Sequence, residues 1–122
     1  MLGDKTIVHN YGHGGGGGTL SWGTAALALE QAPPARHCAV LGCGAVGLAT
    51  ARLAQPLGMQ AMIYAAALPP DTTSNVAGAQ WWPSFVYDED ALTHAYRAQF
   101  VRGAHLAYHR FQTLPGETYG IS

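Results

Sequence analysis

The sequence predicts an α/β fold with a parallel sheet, and three observations support this prediction. A short apolar run over 38–41 leads into a glycine turn, and an alanine- and leucine-rich stretch that begins at Ala45 follows the turn. A second apolar run, 59–64, comes after that stretch. A strand, a helix and a strand at this spacing form a β-α-β unit of about 30 residues. Such a unit is typical of a Rossmann-like, dinucleotide-binding domain.

The turn after the first strand has the spacing G-x-G-x-x-G, with glycines at Gly42, Gly44 and Gly47. Gly42 permits a sharp exit from the strand, Gly44 lets a pyrophosphate approach the backbone, and Gly47 lets the helix lie close on the strand. The helix directs its free N–H groups and its positive dipole end at the phosphates. The turn therefore predicts a phosphate site; a tight turn without a ligand is the alternative.

A second glycine run lies between a predicted strand at 6–8 and a predicted helix at 19–30. It consists of Gly14, Gly15, Gly16, Gly17 and Gly18. Composition alone favours a flexible linker. However, a glycine loop between a strand and a helix N-terminus presents several N–H groups to one point, which predicts a second site for an anion or a carbonyl. Thr19 is expected either to cap the helix or to bond a ligand through its hydroxyl.

The segment after the second strand departs from the usual dinucleotide-binding pattern. An Asp or Glu commonly binds the ribose hydroxyls there, whereas this chain has three alanines at 65–67. The missing acid removes roughly 1.5–3 kcal/mol of a charge-assisted hydrogen bond. A loop with three hydroxyl side chains at 72–74 follows and can bond phosphate or backbone. Small residues beside two tryptophans at 76–83 indicate either a backbone close to a flat group or a packed turn.

A long helix is predicted from Ala91 to about Leu114, after an acidic run at 88–90. Its apolar residues recur at steps of three and four and predict a side that faces the core. These residues are Leu92, Tyr96, Phe100, Ala104, Ala107, Phe111 and Leu114. His105 and His109 have the i, i+4 spacing of metal ligands, but no zincin glutamate or cysteine pair accompanies them, so we predict no metal site. Pro115 and Gly116 are expected to end the helix, and 117–122 to begin a new element.

Length and composition exclude several classes of function. The chain has 122 residues, of which 11% are charged, and a formal net charge of −1. We expect one domain over 1–122. The scattered Lys and Arg residues argue against nucleic acid and anionic membranes as partners, and no apolar run reaches the roughly 18 residues of a membrane span. Two cysteines make no disulfide framework and no signal peptide opens the chain, so a cytoplasmic location is expected.

Together these residues resemble the D-amino acid oxidase family of FAD-dependent oxidoreductases. The segment 7–23 resembles the family's flavin-contacting glycine loop and helix, and 40–48 resembles its FAD pyrophosphate turn. The segment 64–75 resembles the ribose–phosphate loop, and 76–83 resembles the segment against the isoalloxazine ring. The resemblance covers most of 6–112.

The resemblance implies that the chain binds FAD for the oxidation of a D-amino acid, with electrons passing to oxygen. The implied pyrophosphate residues are Gly42, Gly44, Ala45, Val46 and Gly47. The implied ribose and phosphate residues are Ala66, Thr72, Thr73 and Ser74. The implied flavin residues are Gly78, Ala79 and Gln80 on one face of the ring, and Gly14, Gly15, Gly16, Gly17, Gly18 and Thr19 near its pyrimidine carbonyls. A helix N-terminus near those carbonyls would stabilise negative charge on the reduced flavin.

Three features differ from the family pattern. Ala66 stands where an acid is frequent, Ala79 stands where a glycine is common, and the His-Asn-Tyr-Gly-His-Gly unit at 9–14 comes first in the chain and not near its C-terminus. No segment matches the family's substrate domain. We therefore assign no catalytic residue, and we expect the chain to be a fragment of a longer oxidoreductase without its substrate domain.

Two other functions remain open from the sequence. The alternatives to an FAD-binding chain are an NAD(P)-binding domain of a dehydrogenase, in which the glycine run 14–18 has no role, and a non-catalytic remnant or interaction module. A domain that lacks its partner domain exposes apolar surface, so homo-oligomers or aggregates are also expected.

Overall fold

A computed structural model describes residues 3–84, 86–114 and 116 of the chain. Over these residues it contains four α-helices, one two-stranded sheet and two 3-10 turns. The helices are α1 (Gly17–Gln31), α2 (Ala45–Ala54), α3 (Thr73–Val76) and α4 (His94–Thr113). The strands are β1 (His37–Leu41) and β2 (Gln60–Tyr64), and the 3-10 turns are Gln55–Leu57 and Glu89–Ala91.

The β-α-β unit predicted from the sequence is present. β1 and β2 pair in parallel, with Leu41 opposite Tyr64, and α2 connects them. The 3-10 turn Gln55–Leu57, which contains Pro56, follows α2, and Gly58 with a φ of 81° leads the chain into β2. The prediction of a mixed α/β fold with a parallel sheet is therefore confirmed in this coarse form, with two strands in the part of the chain described.

The strand predicted at 6–8 does not form, and residues 6–13 have no regular secondary structure. A strand is stabilised by the ladder that it joins, and in the described residues the sheet consists of β1 and β2 alone. Within the ranges that the structure describes, the β-branched residues at 6–8 therefore have strand propensity but no strand to pair with.

Two helices begin at residues other than those predicted. α1 begins at Gly17 and not at Thr19, because the last two glycines of the run already belong to its first turn. α4 begins at His94 and not at Ala91, because Thr93 caps it: the Thr93 side chain accepts the N–H of Tyr96 at 3.1 Å.

α1 lies at the centre of the fold, between α2 and α4. One apolar cluster joins α1 to α4 and consists of Leu20, Val86 and Ala104, with Phe100 packed against it. Another joins α1 to the β-α-β unit and consists of Leu29, Ala54 and Met59. Arg102 on α4 also forms a bidentate ion pair with Glu30 on α1 at 2.7 Å, and the Arg110 guanidinium lies 5.1 Å from the centre of the Trp22 ring.

The apolar stripe predicted for α4 faces the core in part. Ala104 and Ala107 are buried, whereas Tyr96 is 41% exposed. The sheet also leaves apolar side chains in solvent, with Leu41 83% exposed and Met62 60% exposed. Parallel sheets are usually covered on both faces, so this sheet is covered less than most. Within the described ranges, no helix combines the length and the hydropathy needed to cross a membrane. The predictions for Pro115 and 117–122 fall outside the described residues.

Candidate functional site

The glycine turn after β1 has the geometry that its spacing predicts. Gly42 has a φ of 114°, in the region that favours glycine. A Cβ atom on Gly47 would overlap the carbonyl oxygen of Gly42. The first turn of α2 therefore packs so close to the glycine turn that position 47 has no room for a side chain. The geometric roles predicted for Gly42 and Gly47 are confirmed. Phosphate binding by the turn stays a prediction.

A side chain from α3 lies at the N-terminus of α2. The backbone N–H of Ala45 donates to Oγ of Ser74 at 2.9 Å, and a Cβ on Gly44 would lie 2.9 Å from the same oxygen. The structure thus brings part of the predicted pyrophosphate turn together with part of the predicted ribose–phosphate loop. Because Oγ of Ser74 accepts in this bond, its own proton remains available to an anion.

The other residues predicted for ribose and phosphate are placed differently. The Thr72 hydroxyl donates to Oδ1 of Asn75 at 2.7 Å, within the same short segment. Thr73 begins α3 and is exposed, and Ala66 is exposed in the bend that follows β2. A role for these three residues in ligand binding stays a prediction.

A cavity of about 360 Å³ opens at the N-terminus of α1. Two segments that are far apart in sequence form its walls, namely the glycine run and 77–84. Eight of its lining residues are among those that the resemblance implies for the flavin, namely Gly14, Gly15, Gly16, Gly18, Thr19, Gly78, Ala79 and Gln80. Ala77, Trp82 and Ser84 also line it, although none of the three was among the predicted site residues. Ala77 and Trp82 lie within 76–83, the segment that resembles the one against the isoalloxazine ring, and this was the available signal. None of these side chains carries a charge.

Gly17 lies between this cavity and the glycine turn that follows β1. A Cβ atom on Gly17 would lie 3.7 Å from Cγ2 of Val46, at the N-terminus of α2. The first turns of α1 and α2 are therefore neighbours. The unpaired N–H groups and the positive dipole ends of both helices lie close together.

Thr19 joins the two walls of the cavity. Its hydroxyl donates to the carbonyl oxygen of Gln80 at 3.2 Å and accepts the N–H of Trp82 at 3.1 Å. The expectation that Thr19 caps α1 is wrong, because the helix begins two residues earlier and has Gly16 at its N-cap position. The Thr19 side chain bonds the opposite wall instead.

Ala79 has a φ of 51°, in the left-handed region. We expect Ala79→Gly to raise the free energy of unfolding by about 1 kcal/mol, because that region costs a non-glycine residue about 1–2 kcal/mol and the more flexible unfolded chain offsets part of the gain. The matched control is Ala77→Gly, since Ala77 has an extended backbone with φ −73° and should lose stability. Urea unfolding measures both. A loss of stability in Ala79→Gly would contradict the assigned backbone conformation.

A second cavity, of about 240 Å³, lies between the segment 8–13, α1 and α4. His13 lines it, with Nε2 3.0 Å from Oγ1 of Thr24. The carbonyl oxygen of His13 also accepts the N–H of Gly16 at 2.8 Å, which connects this residue with the glycine run. Burial lowers the pKa of His13.

Acidification is expected to destabilise the chain through His13. Because its pKa is lowered in the folded state, the unfolded state binds the proton more strongly between the two pKa values. The contribution of His13 to the free energy of unfolding is therefore fully present above the ordinary histidine pKa of about 6.5, and it is lost as the pH decreases below that value. Urea unfolding at several pH values on either side of that value measures this effect. His13→Gln should flatten the profile, and an unchanged profile would contradict the assignment.

In the described ranges, no group of three or more His, Cys, Asp or Glu side chains is arranged to hold a metal ion. His105 and His109 are exposed on α4. Cys38 and Cys43 are free thiols.

One curated protein shows similarity to part of this chain. The D-amino-acid oxidase of Dictyostelium discoideum is 42% identical over 52 residues, which are 41% of this chain and 15% of that protein. No family model and no solved structure matches the chain. The matched part therefore spans well under two thirds of the curated relative. These findings support a weak and partial relationship of the chain to D-amino-acid oxidases.

Proposed function

We propose that this chain is the FAD-binding portion of an oxidoreductase of the D-amino acid oxidase type. The observation on which the proposal rests is the cavity at the N-terminus of α1. It is lined both by the glycine run and by 78–80, two segments for which the resemblance separately implies contact with the flavin. The partial similarity to a D-amino-acid oxidase supports the same family.

The lining of the cavity fits a flavin ring. It has no charged side chain, and a Cβ atom on Gly15 or Gly78 would meet nothing within 4 Å. A flat, uncharged group can therefore approach the backbone at both glycines. Because Gly17 lies beside Val46, a ligand with a ring at α1 can extend its phosphates toward α2.

Each group then has a defined role in binding. The Ala45 N–H holds Oγ of Ser74 at the N-terminus of α2, and the Ser74 hydroxyl proton binds the pyrophosphate. The first N–H groups of α1 favour negative charge at the ring carbonyls. When bound, FAD would supply the acceptor for two electrons from the α-carbon of a D-amino acid, and these electrons would then pass to oxygen. No residue of this chain is given a catalytic role. The single domain, the cytoplasmic location and self-association stay predictions.

The visible absorption spectrum of the purified chain tests the proposal. We expect a flavin spectrum, either as isolated or after addition of FAD, and release of free FAD on denaturation. Gly78→Leu should fill the open space and remove FAD, whereas Ala35→Leu, which enlarges an exposed residue elsewhere, should not. A folded chain that FAD cannot reconstitute would contradict the proposal. A thermal shift with NAD(P)H and none with FAD would favour a dehydrogenase domain.

A further inference from the structure

We infer that Thr19 is a positioning residue, whose hydroxyl fixes the segment 77–84 against α1 and thereby sets the shape of the cavity. From the sequence pattern, this hydroxyl was expected either to cap the helix or to bond a ligand, and the resemblance implied a position near the pyrimidine carbonyls of a flavin. The consequence for FAD rests on the proposed function, whereas the positioning of 77–84 does not depend on which ligand binds.

The hydrogen-bonding capacity of Thr19 is largely used within the protein. A hydroxyl has one proton and two lone pairs. The proton goes to the carbonyl oxygen of Gln80 at 3.2 Å, with that of Trp82 at 3.5 Å as an alternative, and a lone pair accepts the N–H of Trp82 at 3.1 Å. Thr19 is only 5% exposed. The Thr19 side chain is therefore buried between the two walls of the cavity, and its hydrogen bonds go to the wall formed by 77–84.

The segment 77–84 has few other attachments to α1. It has no regular secondary structure, and 77–80 are exposed. In the described residues, every hydrogen bond between α1 and this segment involves the Thr19 hydroxyl. Apart from those bonds, Gly18 and Ala79 approach closely, since a Cβ on Gly18 would lie 3.6 Å from Cβ of Ala79. Thr19 supplies a donor and an acceptor to the backbone, as a neighbouring strand would.

The hydroxyl and the methyl group of Thr19 can be separated by substitution. Thr19→Val keeps the shape of the side chain and removes both hydrogen bonds, whereas Thr19→Ser keeps the hydroxyl. Ser21→Ala is the matched control, because Ser21 is 4% exposed on the same helix and its hydroxyl donates at 3.1 Å to Gly18 O within that helix. A general effect of losing a buried hydroxyl would appear in Ser21→Ala as well.

Amide hydrogen exchange in the ligand-free chain tests the positioning directly. We expect the N–H of Trp82 to exchange about tenfold faster in Thr19→Val, which corresponds to the loss of one hydrogen bond. Thr19→Ser and Ser21→Ala should exchange as the wild type does. An unchanged exchange rate at Trp82 in Thr19→Val would overturn the inference, whatever the chain binds.

FAD titration, followed by absorption, tests the consequence for the cavity. Thr19→Val should bind FAD about tenfold more weakly, and Thr19→Ser should bind within about twofold of the wild type. Equal FAD binding by Thr19→Val would overturn the inference. Weaker FAD binding with normal exchange at Trp82 would also overturn it, because the hydroxyl would then act on the ligand itself. If the wild type takes up no FAD, the proposed function fails, and the exchange experiment still decides the role of Thr19.

Circular dichroism establishes that each variant is folded before these comparisons. If Thr19→Val does not fold, Thr19→Ala removes the same hydroxyl with a smaller side chain, and the same two outcomes apply to it.

Discussion

Gly23→Ala is expected to lower the free energy of unfolding by about 3 kcal/mol, because it forces α1 away from α4. A Cβ atom on Gly23 would overlap the carbonyl oxygen of Gly103 on α4. That oxygen belongs to the backbone, so the overlap is relieved only if a whole helix moves. The cost exceeds the gain of about 1 kcal/mol that alanine has over glycine inside a helix. For a domain of this size, the midpoint of thermal unfolding should fall by about 10 °C or more.

Two other glycine-to-alanine variants isolate this effect. Gly17→Ala lies on the same helix, and its Cβ would make an ordinary contact of 3.7 Å with Val46. Gly103→Ala lies on the opposite side of the crossing, and its Cβ would meet the flexible end of Leu27 at 3.2 Å. Both should be clearly more stable than Gly23→Ala in thermal and urea unfolding. Equal stability of all three variants would contradict the close approach of α1 to α4 at Gly23.

Gly47→Ala is expected to disrupt the turn between β1 and α2 and to abolish FAD binding. Its Cβ would overlap the carbonyl oxygen of Gly42 and lie 2.8 Å from the carbonyl carbon, both of them backbone atoms. We expect a loss of about 2–3 kcal/mol in the free energy of unfolding, at the upper end of overpacking costs. Circular dichroism during urea unfolding measures this loss, and the absorption titration measures FAD binding.

Gly44→Ala in the same turn separates folding from binding. A Cβ on Gly44 would lie 2.9 Å from Oγ of Ser74, a side-chain atom that can rotate away. The fold should therefore tolerate this change better than Gly47→Ala, while the methyl group occupies space that the phosphates need. Gly44→Ala with wild-type affinity for FAD would argue against a phosphate at this turn.

The sequence predicted the β-α-β unit because its signals are local. Apolar runs, the glycine spacing and the breakers Pro56 and Gly58 each act within a few residues of the structure that they specify. The same reasoning failed at 6–8, since a strand also needs a partner that its own residues do not provide. It misplaced the starts of α1 and α4 because glycines are poor helix formers and because Thr93, not the acidic run, caps α4.

For the candidate site, the sequence by itself determined which residues have open backbone, the N-terminus of α2, and the N-terminus of α1 to within two residues. Only the tertiary structure decided how these parts combine. The Thr19 hydroxyl meets the carbonyl oxygen of Gln80 across 61 positions of the chain, and the N–H of Ala45 meets Ser74 across 29. Contacts of this kind depend on how α1 packs between its two neighbours, which is set by the close approach of Gly23 to Gly103 and by the side chains around it. No local pattern specifies such a packing, because the energy of each contact depends on residues far away in sequence.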